Sequence, residues 1–206
     1  MHASQVVIDA VVFDLGGVLV DWNPHHLYRG LIPDEGERRH FLAEICPQSW
    51  NEQQDAGRPL AEGTAERIAR FPGHAALIAA YYGRWEEMLA GPIEDSVALL
   101  ESLSARGVPL YALSNWSAEL FPIARRRFAF LRHFRGMVIS GEEGVIKPDP
   151  AIFRLLCTRH GVVPERTLFI DDNPVNVDAA AALGFAAHRF TSGEALKMRL
   201  NELGLV

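Results

Sequence analysis

Polar side chains with catalytic potential follow four segments of this sequence, at the points where buried strands are predicted to end. They are Asp14, Ser114, Asn115, Lys147, Asp171 and Asp172. Because parallel strands present their carboxyl ends at one edge of a sheet, we expect these side chains to meet there. The adjacent carboxylates of Asp171 and Asp172 repel each other, which favours a bound cation beside them. The sequence therefore predicts one site that handles an anionic group.

The elements that must position these residues alternate between strand and helix. Apolar runs predict a first strand at 6–15 and later strands at 108–113, 137–140, 167–170 and 187–190. Helical patterns separate the later strands, and glycines follow several of the helices. This alternation predicts an α/β protein with a doubly wound parallel sheet that is covered on both faces.

A long segment without strand signals interrupts this alternation after the first strand. Residues 21–33 are predicted to be irregular, and 34–91 are predicted to contain consecutive helices. We expect this segment, 21–91, to form an inserted all-helical cap. The core would then consist of 1–20 and 92–206.

The composition excludes several classes of partner. The chain has 206 residues and a formal net charge of −6, which does not favour nucleic acid or an anionic membrane. No apolar run reaches the length of a membrane span, and the N-terminal residues lack a signal-peptide pattern. Cys46 and Cys157 match no metal-binding spacing and suit a reducing compartment. We expect a cytoplasmic protein.

Four motifs in fixed order resemble those of the haloacid dehalogenase-like (HAD) hydrolase superfamily. They are Phe-Asp-Leu-Gly-Gly-Val from 13, Leu-Ser-Asn from 113, Val-Ile-Lys-Pro-Asp from 145 and Phe-Ile-Asp-Asp-Asn-Pro-Val-Asn from 169. The resemblance covers nearly the whole chain and extends to the subclass with a helical cap after the first motif. It implies a sugar-phosphatase-like enzyme that acts on a small phosphorylated metabolite.

The resemblance also implies a role for each matching residue. Asp14 would be the nucleophile that forms an aspartyl-phosphate, and Lys147 would neutralise developing charge. Ser114 and Asn115, with the amides that follow, would bind the phosphate group. Mg²⁺ would be held by Asp14, the Gly16 carbonyl, Asp171 and Asp172, with Asn176 supporting its water.

The cap contributes a further candidate, Arg58, in the turn at 54–58 that the resemblance places beside the leaving group. This arginine either binds a second anionic group of the substrate or is a solvated residue of the turn.

The first motif departs from the family pattern at Gly16. Phosphatases of the family carry an Asp there, which protonates the leaving oxygen and later activates water. The substitute cannot be identified from the sequence: it could be Asp21, His25, His26, Asp55 or water.

The departure at Gly16 leaves two rivals to the phosphatase. A 2-haloacid dehalogenase also uses an Asp nucleophile and needs no acid, because a halide leaves without a proton. However, its fourth motif lacks the paired carboxylates that this chain keeps at Asp171 and Asp172. A catalytically silent binding protein is the second rival. Substrate identity and oligomeric state stay open.

Overall fold

A parallel sheet of five strands forms the centre of the protein, whose computed structural model describes residues 7–206. Numbered in chain order, its strands are β1 (Ala10–Phe13), β4 (Leu110–Ser114), β5 (Gly136–Ile139), β6 (Thr167–Asp171) and β7 (Ala186–Arg189). Their order in the sheet is β5-β4-β1-β6-β7. Since β1 lies between β4 and β6, the strand order reverses at β1. Such a switch point leaves a crevice beyond the strand ends.

Two apolar clusters cover the two faces of this sheet. Val11 and Phe13 of β1 belong to one cluster, whereas Val12 belongs to the other, as the alternation along a strand requires. The helices of this part are α6 (Glu94–Ala105), α7 (Phe121–Arg127), α8 (Ser140–Glu143), α9 (Pro150–His160), α10 (Pro174–Ala182) and α11 (Gly193–Glu202). The predicted α/β class with a parallel sheet is confirmed.

The chain between β1 and α6 is mostly helical. It contains α1 (Pro24–Leu31), α2 (Glu35–His40), a π-helical segment (Phe41–Ile45), α3 (Gln48–Asp55), α4 (Leu60–Arg70) and α5 (Ala75–Gly83). Aromatic rings from different helices pack together, among them Tyr28, Trp50 and Tyr81. These rings extend the apolar cluster of Val11 and Phe13 into the helical segment.

Two predictions for this segment are wrong. Residues 21–33 are not irregular, because Asn23 caps α1 by accepting a hydrogen bond from the His25 amide and Pro24 occupies the first helical turn. The segment also contains strands: β2 (Val20–Trp22) pairs antiparallel with β3 (Leu89–Pro92). This pair holds the entry and exit of the helical segment side by side.

The strand pair lies at both predicted boundaries of the cap, near 20 and 92. The division into a core and a cap stays a prediction. Within 7–206, every helix is too short or too polar to cross a bilayer.

Candidate active site

Asp14 lies directly beyond β1 and is held in place by neighbours on both sides. Its amide donates to the Ile170 carbonyl of β6 at 2.8 Å. Its Oδ1 accepts hydrogen bonds from the Leu15 amide and from Ser114 Oγ, each at 2.7 Å. The side chain is therefore fixed at the switch point of the sheet, with Oδ2 on the side of Lys147.

Lys147 is a fully buried cation that joins three strand ends. Its Nζ lies 3.0 Å from Asp14 Oδ2 and 2.6 Å from Asp171 Oδ2, and it donates to the Leu113 carbonyl at 2.8 Å. Burial alone lowers the pKa of this amine, but the charges of Asp14 and Asp171 outweigh burial and raise it. Lys147 therefore stays an ammonium group.

Three carboxylates meet at the same edge of the sheet. Asp14, Asp171 and Asp172 each offer an oxygen, and these oxygens lie within 4.8 Å of one another. When ionised, the three carboxylates carry three negative charges, and the ammonium of Lys147 balances one of them. A net charge of −2 remains. Hard oxygen donors at such separations fit a divalent cation such as Mg²⁺.

Burial and the mutual repulsion of these carboxylates raise the pKa of two of them. Burial raises the pKa of Asp14, and the Asp171 charge adds to the rise, whereas Lys147 and Ser114 oppose it. Partial desolvation and the Asp171 charge likewise raise the pKa of Asp172. A bound cation would favour the ionised form of each group.

Asn176 and Gly17 shape the same carboxylate cluster. Asn176 Nδ2 lies 3.2 Å from both carboxylate oxygens of Asp171. Gly17 has a left-handed φ of +73°, and a Cβ there would lie 2.4 Å from Asp172 Oδ2. The glycine turn after β1 therefore makes room for Asp172.

Asn115 uses its side-chain amide to hold the loop of Lys147. Its Oδ1 accepts from the Lys147 amide at 2.8 Å, and its Nδ2 donates to the Lys147 carbonyl at 2.9 Å. The side chain thus positions Lys147, an arrangement that the sequence interpretation missed. A phosphate-binding role for Asn115 stays a prediction.

A cavity of about 530 Å³ opens above these residues. Its floor includes Asp14, Gly16, Ser114, Lys147 and Asp172. Its other walls combine tryptophans with polar residues of α3, namely Trp22, Trp85, Trp116, Gln48, Asn51, Glu52 and Asp55. The cavity therefore joins the strand ends to the helical segment.

Arg58 lies beside helix α4 and not at the cavity. It pairs with Glu62 and Glu66 of α4 and donates to Gln53. Of the residues that the structure describes, those that line the cavity do not include Arg58. The structure gives no support to a substrate-binding role for this arginine.

Trp22 lines this cavity, whereas Trp50 is not among the described residues that line it. Trp50 packs against Tyr81 and Tyr82 in the helical segment. Asn51 was missed, although its spacing of four residues from Asp55 would place both on one helix face.

Comparison with known proteins identifies the family. The model of the haloacid dehalogenase-like hydrolases matches residues 8–184. The chain belongs to this family. The resemblance of the four motifs is thereby confirmed, and the protein is a HAD-like hydrolase.

Relatives of this HAD-like hydrolase differ in chemistry. A sesquiterpene phosphatase of Aspergillus oryzae is 28% identical over 94% of this chain and 95% of its own. A HAD-family enzyme of Bacteroides thetaiotaomicron, solved with magnesium and inorganic phosphate, is 22% identical with a TM-score of 0.65, covering 90% of this chain and 96% of that one. The L-2-haloacid dehalogenase of Xanthobacter autotrophicus is 23% identical with a TM-score of 0.64, covering 95% and 83%. At these identities, the two structures show a shared fold only.

Proposed function

We propose that this HAD-like hydrolase is a metal-dependent phosphatase that forms an aspartyl-phosphate on Asp14. The observation that carries the proposal is the cluster of three carboxylates, whose oxygens lie within 4.8 Å of one another beside one buried lysine. A nucleophilic carboxylate that approaches a phosphate must overcome charge repulsion, and this cluster could bind the cation that does so.

Each residue of the cavity floor has a proposed role. Asp14, the Gly16 carbonyl, Asp171 and Asp172 would hold Mg²⁺, which supplies positive charge between the nucleophile and the phosphoryl group when bound. Lys147 would balance charge that develops on the phosphoryl oxygens.

The remaining polar groups would orient this machinery. Ser114 and the amides after it would bind phosphate oxygens. Asn176 would orient Asp171 and support the water of the metal.

The substrate that suits the cavity is a small phosphate ester. Polar side chains from α3 and indole rings face the space beyond Asp14, and both can bind the organic part of a sugar phosphate or a similar metabolite. A relative that is a sesquiterpene phosphatase supports phosphate-ester chemistry. We propose that the protein works in the cytoplasm without nucleic acid or membrane partners.

The second candidate is a 2-haloacid dehalogenase that uses Asp14 to attack carbon. The observation that favours it is the absence of a side chain at Gly16, where phosphatases of the family carry their acid. The missing acid at Gly16 is also the reason to consider a third candidate, a binding protein without catalytic activity.

A paired assay separates the three. We expect the purified protein to release phosphate from p-nitrophenyl phosphate or a panel of sugar phosphates with Mg²⁺, and to lose this activity in EDTA. Dehalogenation of chloroacetate or 2-chloropropionate in EDTA, without phosphatase activity, would establish the dehalogenase. A protein that turns over neither class of substrate would be the silent fold.

A further inference from the structure

We infer that Asp55 is the general acid and base of this hydrolase, in place of the missing side chain at Gly16. This inference rests on the proposed phosphatase function. It assigns the proton transfer to a residue of the helical segment, on a different element from the nucleophile.

Asp55 reaches the cavity from the last turn of α3. It lines the same cavity as Asp14, and it comes from the helical segment rather than from the strand ends. The leaving group of a phosphate ester must extend from the phosphoryl group into this space, because Asp14 and its neighbours occupy the floor. Asp55 is therefore placed on the leaving-group side.

The position of Asp55 is fixed by contacts to both parts of the chain. Asn51 Nδ2 donates to Asp55 Oδ2 at 2.8 Å within α3. Ser140 Oγ donates to the Asp55 carbonyl at 2.5 Å and accepts from the Trp116 amide at 2.9 Å. A carboxyl group that is held by Asn51, on a backbone that is anchored by Ser140, can transfer a proton with little reorganisation.

The surroundings of Asp55 suit a group that both gives and takes a proton near neutral pH. Burial raises the pKa of its carboxyl to about 7; a hydrogen bond from the Ser117 backbone opposes this, and the charges of Glu52 and Asp14 add to it. Tyr82 of α5 donates to Asn51 Oδ1 at 3.0 Å, and burial raises the pKa of its phenol. An acid and base works best with a pKa near the operating pH.

The other candidates from the sequence lie away from the cavity. His26 Nε2 pairs with Asp21 Oδ1 at 3.0 Å, and His25 Nδ1 accepts from Arg38 Nε at 3.2 Å. In the described part of the chain, Asp21, His25 and His26 are all absent from the cavity wall. Glu52 does line the cavity and is the remaining competitor.

The two chemical steps balance with Asp55 as the only proton carrier. In the first, an Asp14 oxygen bonds to phosphorus while the bond from phosphorus to the leaving oxygen breaks. That oxygen keeps the bonding electrons and takes the proton of Asp55. In the second, water attacks phosphorus and gives a proton to the Asp55 carboxylate. The bond from Asp14 to phosphorus breaks, and phosphate leaves.

The test compares Asp55→Asn with wild type on aryl phosphates of increasing leaving-group acidity, in Mg²⁺. Asp55→Asn should lose about 10²–10⁴-fold in kcat/KM on phenyl phosphate but much less on 2,4-dinitrophenyl phosphate, whose leaving group needs no proton. With the dinitrophenyl ester, the variant should release one equivalent of phenol per site in a burst, because hydrolysis of the aspartyl-phosphate still lacks a base. Intact mass after acid quench should then show the phosphorylated protein, a readout that a structural role would not produce.

Three further variants complete the design. Asp21→Asn, outside the cavity, should keep the wild-type dependence on the leaving group, and Asp55→Ala should reproduce Asp55→Asn. Adding Gly16→Asp to Asp55→Asn should restore part of the phenyl phosphate activity. The space supports this rescue, since no atom lies within 4 Å of a Cβ at Gly16 and its φ is not left-handed.

If kcat/KM depends on leaving-group acidity in the same way for wild type and folded Asp55 variants, and no variant releases a burst of phenol, the inference is overturned. The proposed phosphatase function would still stand. If Glu52→Gln shows the selective loss on phenyl phosphate and the phenol burst, and Asp55→Asn does not, Glu52 is the acid and the inference is likewise overturned. A wild-type protein without activity on any phosphate ester would reject the proposed function itself, and this inference with it.

Discussion

Lys147 Nζ lies 2.6 Å from Asp171 Oδ2, and both side chains are fully buried. The same ammonium reaches Asp14 at 3.0 Å, so one cation serves two carboxylates from different strands. A buried charge without its partner is costly, because the protein interior cannot replace the hydration that the charge has lost. The residues of these ion pairs therefore stabilise the edge of the sheet and also have roles in the proposed reaction.

Lys147→Met should therefore damage both stability and activity. Removing the cation leaves Asp14 and Asp171 buried and unpaired, which we expect to lower the free energy of unfolding by about 3–5 kcal/mol. Urea denaturation measures this loss. Lys197→Met is the matched control, since Lys197 is the only other lysine of the chain and is exposed. Equal stability of the two variants would contradict the role given to the pair.

Mg²⁺ should stabilise the folded protein through the carboxylate cluster. At 100 times its dissociation constant, a ligand of the folded state alone adds about 2.7 kcal/mol, so Tm should rise. Asp172→Asn should lose most of this rise, yet without metal it should be at least as stable as wild type, because it removes a repulsive charge. Asp178→Asn on α10 is the control and should keep the full response. A full Mg²⁺ response in Asp172→Asn would rule out Asp172 as a ligand.

Alanine substitution at two neighbouring glycines should change the stability of the protein by different amounts. Gly17→Ala places a side chain in the left-handed region, which costs about 1–2 kcal/mol, and pushes its Cβ onto Asp172. It should also weaken the Mg²⁺ response. Gly16→Ala meets no atom within 4 Å and should stay within about 0.5 kcal/mol of wild type. Denaturant unfolding of both variants with and without Mg²⁺ checks this, and similar losses in the two would refute it.

The sequence predicts the sheet and the ends of its strands well, because both depend on local signals. Apolar runs that end at Asp14, Ser114 and Asp171 are readable without any tertiary contact. The pairing of β2 with β3 was not readable, since two short strands separated by most of the helical segment gain their stability from each other.

The site residues show the same division. The structure brings Asp14, Lys147, Asp171 and Asp172 together, although their roles stay predictions. The burial of Asp55 could not be read from a polar stretch, because it depends on the end of α3 lying against Ser140. The sequence left two alternatives open for Arg58, and its pairing with the glutamates of α4 is a contact that the sequence did not reveal.

Asp55 should also make stability depend on pH. Its pKa is about 7 in the folded state, against an ordinary value of 3.8, so the folded state binds the proton more tightly than the unfolded state. Its favourable contribution is complete below the lower value and is lost as the pH rises through the higher one. In EDTA, Asp55→Asn should therefore lose less stability than wild type between pH 4 and about 7. Urea titrations at several pH values measure this, with Asp21→Asn as control; identical pH dependence in wild type and Asp55→Asn would contradict the shift.

The proposed mechanism requires that Asp14 attack phosphorus with the help of a divalent cation. The most direct measurement is the turnover of p-nitrophenyl phosphate by wild type and Asp14→Asn, with Mg²⁺ and with EDTA. The amide is nearly isosteric with the carboxylate, so Asp14→Asn should fold but lose at least about 10³-fold in kcat, and EDTA should abolish wild-type turnover. Turnover by Asp14→Asn within a few-fold of wild type would exclude Asp14 as the nucleophile, and undiminished wild-type activity in EDTA would exclude the metal.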